Sequence, residues 1–377
     1  MDFSVVVPTY NRRRDLLRTL AAYERQEPAD LEFEVVAVDD GSGDGTAAAL
    51  ADLRPRRFSL RFETQDNAGP AKARNRALEM ARGDLVLFTG DDIEPAPDLL
   101  RRHLETHRSH GDPALAVLGL TTWPEDGPLT ATMRHIDGPG AQQFSYHYFE
   151  DGAEYDFRHL YTSNVSLTRR FLELEAGPFA TVFPAAAFED AEVGHRLAYH
   201  GLRILYRRDA TAFHHHPYDA AGFYRRQERC GRMAALLFQR NPELKKWLAV
   251  REVEWRRLAL LGMDPQDVPP LQRLADELDS WIRRAIRLAT FYDPIDPPGI
   301  DGFLSPLFRL GYLDGLCAAL LPEPAARRVL ASFFAESIPD AAGSLEHHIA
   351  AAGVPGPVAD LAALTSVPPF PGIPPGP

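Results

Sequence analysis

Carboxylates stand side by side at three points of this 377-residue chain: Asp39-Asp40, Asp91-Asp92 and Glu189-Asp190. The first pair ends the apolar run Val35-Val36-Ala37-Val38 and leads into Gly41-Ser42-Gly43-Asp44-Gly45-Thr46. Turn chemistry and helix capping account for Ser42 to Thr46, but not for two acids at the end of a strand. The second pair follows Phe88-Thr89-Gly90 and precedes Ile93-Glu94-Pro95. Adjacent carboxylates after a hydrophobic strand are costly unless a cation compensates, and Mg2+ or Mn2+ bridging to substrate phosphates is the usual compensation. Capping of a helix near Pro97 is the competing role for Asp92. The third pair opens the helical pattern of residues 191–199, where any acid is favoured by the helix dipole.

Other residues could serve a ligand beside these acids. Val5-Val6-Val7-Pro8-Thr9-Tyr10-Asn11-Arg12 is an apolar strand ending in a polar turn, a commonplace arrangement taken alone. Asn67 to Asn75, with Lys72 and Arg74, enters a helix, and backbone N–H groups with two cations there suit an anionic ligand. A helix with solvated basic residues has the same composition. His214-His215-His216 invites a metal reading, yet adjacent strand residues alternate in direction and cannot all ligate one ion.

The elements that must position these residues follow from periodicity. Residues 1–120 alternate short β-branched runs with helical patterns, which predicts βαβ units on a parallel sheet. Strands are expected at 3–8, 34–39, 59–63 and 84–89, with helices at 15–26, 46–53 and 71–82. In open α/β sheets ligands bind beyond the carboxyl ends of the strands, which is where the acids and the Pro-Thr-Tyr turn fall. Residues 121–216 are mixed, with strands expected near 115–120, 161–167 and 203–206. From about Tyr218 the pattern is helical, with helices at 243–261 and 271–290 broken by Pro265, Pro269 and Pro270. The last stretch, 367–377, carries six prolines and reads as an extended or disordered tail.

Taken together and in this order, the motifs resemble the family 2 glycosyltransferases of the GT-A fold. Tyr161-Thr162-Ser163-Asn164-Val165-Ser166-Leu167 and Gly177-Pro178-Phe179 resemble that family's central strand and the turn beyond it. Phe188-Glu189-Asp190 is similar to its Glu-Asp motif. The resemblance covers about residues 3–240. It implies an α/β fold: a Rossmann-like, mostly parallel sheet flanked by helices, with a helical C-terminal appendage. The implied domains are a catalytic domain at 1–217, donor-binding over 1–120 and acceptor-binding or catalytic over 121–217, and a helical region at 218–366.

The resemblance also implies roles. Pro8, Thr9, Tyr10 and Asp40 would hold the nucleobase, with Asn67 and Arg74 nearby and Asp91 on the donor. Asp92 and His214 would hold Mn2+ or Mg2+ against the diphosphate. Asp190 would be the general base, and Glu189 would orient it or bind the acceptor. Gly90 stands where the metal signature usually has its first acid, which moves the expected ligation onto Asp92. The implied reaction is inverting transfer of a sugar from a nucleotide-diphosphate donor to a hydroxyl of a carbohydrate or lipid-linked acceptor. UDP is the expected carrier, since an Asp accepting from an imide N–H suits uracil or thymine better than guanine.

Two other functions fit parts of this pattern. A sugar nucleotidyltransferase would need a Gly-rich basic loop after the first strand, which Pro8-Thr9-Tyr10-Asn11 is not. A non-catalytic scaffold binding sugar nucleotides is favoured by Gly90 and disfavoured by the retention of Asp92 and Asp190.

Composition bounds the rest. Hydrophobic residues at 45% and charged residues at 25% match a folded globular chain. A net charge of −12 argues against nucleic acid as a partner, because that affinity rests on clustered Lys and Arg. The two cysteines, Cys230 and Cys317, have no metal-type spacing, and a reducing compartment fits them. Met1 leads into Val5-Val6-Val7 without a signal-peptide pattern, and no run of roughly 20 apolar residues is visible, so a cytoplasmic protein is expected. Amphipathic helices beyond residue 218 are compatible with covering the acceptor, peripheral contact at the inner face of a membrane, or homo-oligomer formation.

Overall fold

The computed structural model describes residues 1–27 and 30–367, so the proline-rich stretch expected to be a tail lies, beyond Val367, outside the described residues. The chain divides into two compact units, one of Met1–Gly127 with Phe144–His216 and the other of Pro128–Gln143 with Pro217–Pro377.

The first unit opens with β1 (Phe3–Thr9), α1 (Arg13–Tyr23), β2 (Phe33–Asp39), α2 (Thr46–Asp52), β3 (Ser59–Thr64), α3 (Pro70–Met80) and β4 (Leu85–Thr89). β5 (Ile93–Pro95), α4 (Leu99–His110) and β6 (Leu115–Thr122) follow. The other unit's α5 (Ala131–Asp137) intervenes before β7 (Glu154–Tyr155), β8 (Asn164–Thr168), α6 (Arg169–Leu172), α7 (Glu189–Ala198) and β9 (Arg203–His214). Among the described residues nine strands form one sheet in the order β3-β2-β1-β4-β8-β6-β9-β5, with β7 beside β9.

The sheet is parallel across β3-β2-β1-β4 and mixed beyond it. β8 runs antiparallel to both β4 and β6, while β6 and β9 are parallel. The expectation of a mostly parallel sheet therefore holds for the half that carries the βαβ units and is corrected for the other half. Reversal of β8 has a consequence for the site, because its first residue, Asn164, pairs with Thr89, the last of β4.

Alternation along the strands builds a layer on each face. Phe3, Val5 and Val7 pack with Leu16, Leu20 and Tyr23 of α1, Leu50 of α2 and Leu100 of α4. Val6, Val36, Val38, Val86 and Phe88 pack with Ala71, Ala73 and Ala77 of α3 and Val193 and Leu197 of α7. Each such Val or Leu contributes about 1.5–3 kcal/mol relative to exposure. Three alanines on its sheet-facing side give α3 a slim packing surface against β1 and β2.

β9 runs well past the expected 203–206. Its pairing with β6 shifts register between Gly119 and Leu120, opposite Arg207 to Thr211. The charged Arg207, Arg208 and Asp209 sit at that irregularity and break the apolar alternation that marks a strand.

The second unit is helical: α5, then α8 (Ala220–Arg240), α9 (Val250–Leu261), α10 (Val268–Tyr292), α11 (Ile300–Leu320), α12 (Glu323–Ala351) and α13 (Val358–Thr365). Residues 128–143, expected in the catalytic domain, belong here for an electrostatic reason. The buried carboxylate of Asp293 accepts from the N–H of Thr132 at 2.7 Å and of Ala220 at 3.2 Å, so one acid serves the first turns of both α5 and α8. Arg134 of α5 pairs with Asp296 and Asp301. The helix expected at 243–261 is split by Ala249 in the left-handed region, and α10 starts earlier than expected, with Pro269 and Pro270 in a first turn that needs no N–H. α11 is long and apolar enough by length and composition to cross a membrane, contrary to the sequence reading, and just over half of that apolar window is buried.

Candidate active site

Because β1, β2 and β4 are parallel neighbours, their carboxyl ends meet at one edge, with Thr9 in register with Asp39. The turns beyond them are laced together. Asn11, at φ 52°, accepts from the Gly43 N–H at 2.8 Å and donates its own N–H to Ser42 Oγ at 2.7 Å. Tyr10 projects from this turn, half exposed, next to Thr9 and Pro8. Asp40 is buried, and its carboxylate accepts from Gln65 Nε2 at 2.7 Å and from the N–H groups of Ala68 at 2.9 Å and Gly69 at 2.8 Å. Asn67 donates to the Asp40 carbonyl at 3.1 Å. Asp40 thus fixes the turn before α3, and Gly69 meets that turn's demand for φ 88°.

The Asp91-Asp92 pair lies at the same edge. Thr9 Oγ donates to Asp91 Oδ2 at 2.7 Å. Burial, then the charge of Asp92, raises the Asp91 carboxyl to about 7, against the opposing pull of Thr9 and Arg12. Burial also acts on Asp92, but it is outweighed by His214, Arg12 and His216, which leave this carboxyl well below the usual range. Arg12 donates from Nη1 to Asp92 Oδ2, while its Nη2 lies 3.2 Å from His216 Nδ1. His214 Nε2 is 3.5 Å from the same Asp92 oxygen, and the Trp123 ring stacks on His214 at 5.2 Å. His215 points elsewhere, to Glu94 at 3.0 Å. A Cβ at Gly90 would lie 2.8 Å from Asp92 Oδ1, so a side chain there requires the Asp92 carboxylate to shift.

Asp92 and His214 make an oxygen and nitrogen pair, since Asp92 immediately precedes β5, whose Ile93 is in antiparallel register with His214 of β9. Among the described residues no group of three or more metal-type side chains converges. Two protein ligands suit a hard divalent ion that takes most of its remaining shell from water and diphosphate oxygens. The residues fit that mode and do not form a closed cage.

The third acid pair sits where α7 begins, after Phe188 at φ 66°, a strained conformation for an aromatic residue. Glu189 is buried; it accepts from Arg74 Nη1 at 2.8 Å and from the Ala187 N–H at 2.7 Å. Arg74, expected beside a nucleobase, is instead buried against Glu189, with its guanidinium 5.5 Å from the Phe179 ring. Asp190 accepts from its neighbour's N–H, that of Ala191, at 2.8 Å. Burial, then the charge of Glu189, raises its carboxyl to about 7, opposed by Arg74 and by the backbone at Ala191 and Thr162. Thr162 lies two residues before β8, so Asp190 belongs to the edge where β4 ends.

Residues 4–173 match the family described as Glycosyl transferase family 2. The N-terminal domain belongs to glycosyl transferase family 2. The family 2 domain is 39% identical over 121 residues to the uncharacterized glycosyltransferase YfnE of Bacillus subtilis, covering 32% of this chain and 30% of that protein. A validoxylamine A glucosyltransferase of Streptomyces hygroscopicus subsp. limoneus is 30% identical over 230 residues, covering 55% of this chain and 50% of the relative. The chain therefore spans half or less of the length of these relatives. Among solved structures, S. aureus TarS 1–349 in complex with UDP aligns with 88% of this chain and 91% of its own at 19% identity and a TM-score of 0.48.

Two features of the family 2 domain had no role in the sequence reading. Arg12 closes the first motif yet carries no signal that it reaches the second acid pair. Asn75 clamps the loop before α7, donating to the Phe179 carbonyl at 2.7 Å and accepting its N–H at 2.9 Å. Both contacts join residues about 80 and 104 positions apart, which periodicity and motif spacing do not encode.

Proposed function

We propose that this chain is an inverting glycosyltransferase that moves a sugar from a nucleotide-diphosphate donor, a UDP-sugar, to a hydroxyl of a carbohydrate or lipid-linked acceptor. The observation that carries the reading is Asp190: a carboxyl raised to about 7 by burial and Glu189, opening a helix at the edge where Asp91 and Asp92 also stand. A base poised near neutral pH takes a proton efficiently without being fully neutralised. The Asp190 carboxylate accepts the acceptor's proton as that oxygen attacks the anomeric carbon from the face opposite the diphosphate. Glu189, tied to Arg74 and the Ala187 N–H, holds the start of α7 and sets the charge beside Asp190.

Pro8, Thr9, Tyr10 and Asp40 line the nucleobase side. A carboxylate offers about four lone-pair sites. Three bonds to the 65–69 turn leave Asp40 one for an imide N–H. Asn67 keeps that turn in place, and Thr9 keeps Asp91 turned toward the donor side. Asp92 and His214 would hold Mn2+ or Mg2+, which when bound offsets negative charge growing on the departing diphosphate.

The test is release of UDP from a panel of UDP-sugars in Mn2+, with and without candidate acceptors, by the full chain. Turnover that depends on an acceptor supports the transferase. Tight binding of a UDP-sugar without any release, across all acceptors, would instead mark a sugar-nucleotide-binding scaffold.

A further inference from the structure

Arg12 is placed where a cation is needed. Its Nη1 bonds Asp92 Oδ2 and lies 3.8 Å from Asp91 Oδ1, and its Nη2 faces His216 Nδ1 at 3.2 Å. The Asp92 oxygen that it holds is the one facing His214 Nε2 at 3.5 Å. A divalent ion shared by Asp92 and His214 needs that oxygen, and a guanidinium bonded to it is a like charge in the ion's way. Ion and guanidinium thus compete for one carboxylate oxygen.

We propose that Arg12 is a resident cation that holds the Asp91-Asp92 pair in the nucleotide-free chain and yields to a divalent ion only when a nucleoside diphosphate gives it a new partner. The inference rests on the donor reading above. Three features make the exchange feasible. About a third of the Arg12 side chain is exposed, whereas the two acids are nearly buried, so it is Arg12 that has room to move. Its backbone lies in the turn between β1 and α1, so the long stem can swing without disturbing either element. A diphosphate offers pairs of oxygens that the planar guanidinium fork can engage bidentately.

Without a nucleotide, an entering ion must expel Arg12 into water. With one, the ion gains phosphate ligands and Arg12 gains phosphate oxygens. Binding free energies couple reciprocally, so the ion must tighten the nucleotide by the factor with which the nucleotide tightens the ion.

Mn2+ binding to the full chain, followed by the electron paramagnetic resonance signal of free Mn2+, tests this without turnover. The wild type should bind Mn2+ weakly alone and roughly tenfold or more tightly with saturating UDP, within the usual range of such coupling. Arg12→Gln should bind Mn2+ alone about tenfold more tightly than wild type, with the UDP enhancement reduced. Arg12→Lys keeps the charge, loses the fork, and should fall between them; it serves as the second variant should Arg12→Gln fail to fold by circular dichroism. Equal Mn2+ affinity of wild type and both variants without UDP would overturn the proposal while leaving the donor reading intact, provided that wild type still binds Mn2+ with UDP. Absence of Mn2+ binding by wild type under both conditions would remove the metal reading and this inference together.

Discussion

Arg74 of α3 donates to Glu189, the first residue of α7, across 2.8 Å in a buried pair. The bond joins a helix that begins beside the Asp40 turn to the helix that carries Asp190, and the Asn75–Phe179 clamp runs parallel to it one residue along. Two sides of the edge are therefore held as one body.

Breaking this pair from one side should be expensive. Arg74→Gln leaves the Glu189 carboxylate buried with the Ala187 N–H as its remaining bond shown here, and loss of one partner of a buried pair typically costs about 3–5 kcal/mol. Urea titration of Arg74→Gln, Glu189→Gln and the double variant measures it. The double variant should be less damaged than the sum of the singles, because neither charge is then left alone. Additive losses would mean that the two residues do not act on each other.

Asp190→Asn should separate binding from chemistry. UDP affinity should stay near wild type, while turnover falls by about 10²–10⁴-fold, the usual contribution of a positioned base. The pH profile gives an independent check. A carboxyl at about 7 is protonated and idle below that pH, so kcat/KM should climb as pH rises through about 7 and then level. Glu189 contributes to that elevation. Glu189→Gln should therefore move the rising limb to lower pH, a shift that mere loss of structure would not produce.

How much of this was legible in the sequence can be argued from these residues. The acid pairs stand beside apolar runs or at a helix start, so periodicity is enough to place Asp40, Asp91, Asp92 and Asp190 at the ends of strands or the start of a helix, while their roles come from the family resemblance. The parallel half of the sheet was legible for the same reason. Side-chain partnership was not: Arg74 reads as a cation at a helix start, and only the fold reveals that Glu189 lies against it. The reversed β8, the long β9 and the transfer of residues 128–143 to the helical unit also escaped. Each is set by pairing at long range, through Thr89 with Asn164, Arg207 at a register shift, and Asp293 with two helix starts.

Acid should destabilise the family 2 domain through two histidines that no mechanism uses. His103 and His107 of α4 flank Ser166 of β8, each with a ring nitrogen 2.8 Å from its Oγ, and His103 also reaches Asn164 at 3.0 Å. Burial lowers His103 from 6.5 to about 3 and His107 to about 4. In the unfolded chain both take protons near their ordinary value, so their stability contribution is present above about pH 6.5 and is lost progressively as pH falls toward those lowered values. Each unit of separation is worth about 1.4 kcal/mol. Asp91 and Asp190, with carboxyls raised to about 7, take protons in the folded chain over the same interval and act in the opposite sense, so the histidine contribution is read as a difference between variants. His107→Gln, which can still bond Ser166 but takes no proton, should gain in urea midpoint relative to wild type between about pH 7 and about pH 5.

Two glycines of α11 should respond to alanine with opposite signs. Helix propensity alone favours alanine over glycine by about 0.8–1 kcal/mol at an interior position. At Gly302 an added Cβ meets nothing within 4 Å, so Gly302→Ala should stabilise the chain by about that amount or somewhat less. At Gly315 the added Cβ would sit 1.8 Å from the Glu228 carbonyl oxygen of α8, and Gly231 of α8 is equally tight, at 2.0 Å from the Tyr312 carbonyl oxygen. Backbone, not a flexible side chain, is in the way, so the two helices must move apart along a crossing where Phe223 of α8 packs edge-on against Phe308 of α11 at 4.8 Å. Overpacking of this kind typically costs about 1–3 kcal/mol, which exceeds the propensity gain and sets the sign. Gly315→Ala should therefore lower the urea midpoint while Gly302→Ala raises it. If both substitutions raised it, α8 and α11 would not be held at glycine-to-backbone contact, and the packing of the helical unit described here would be wrong at its centre.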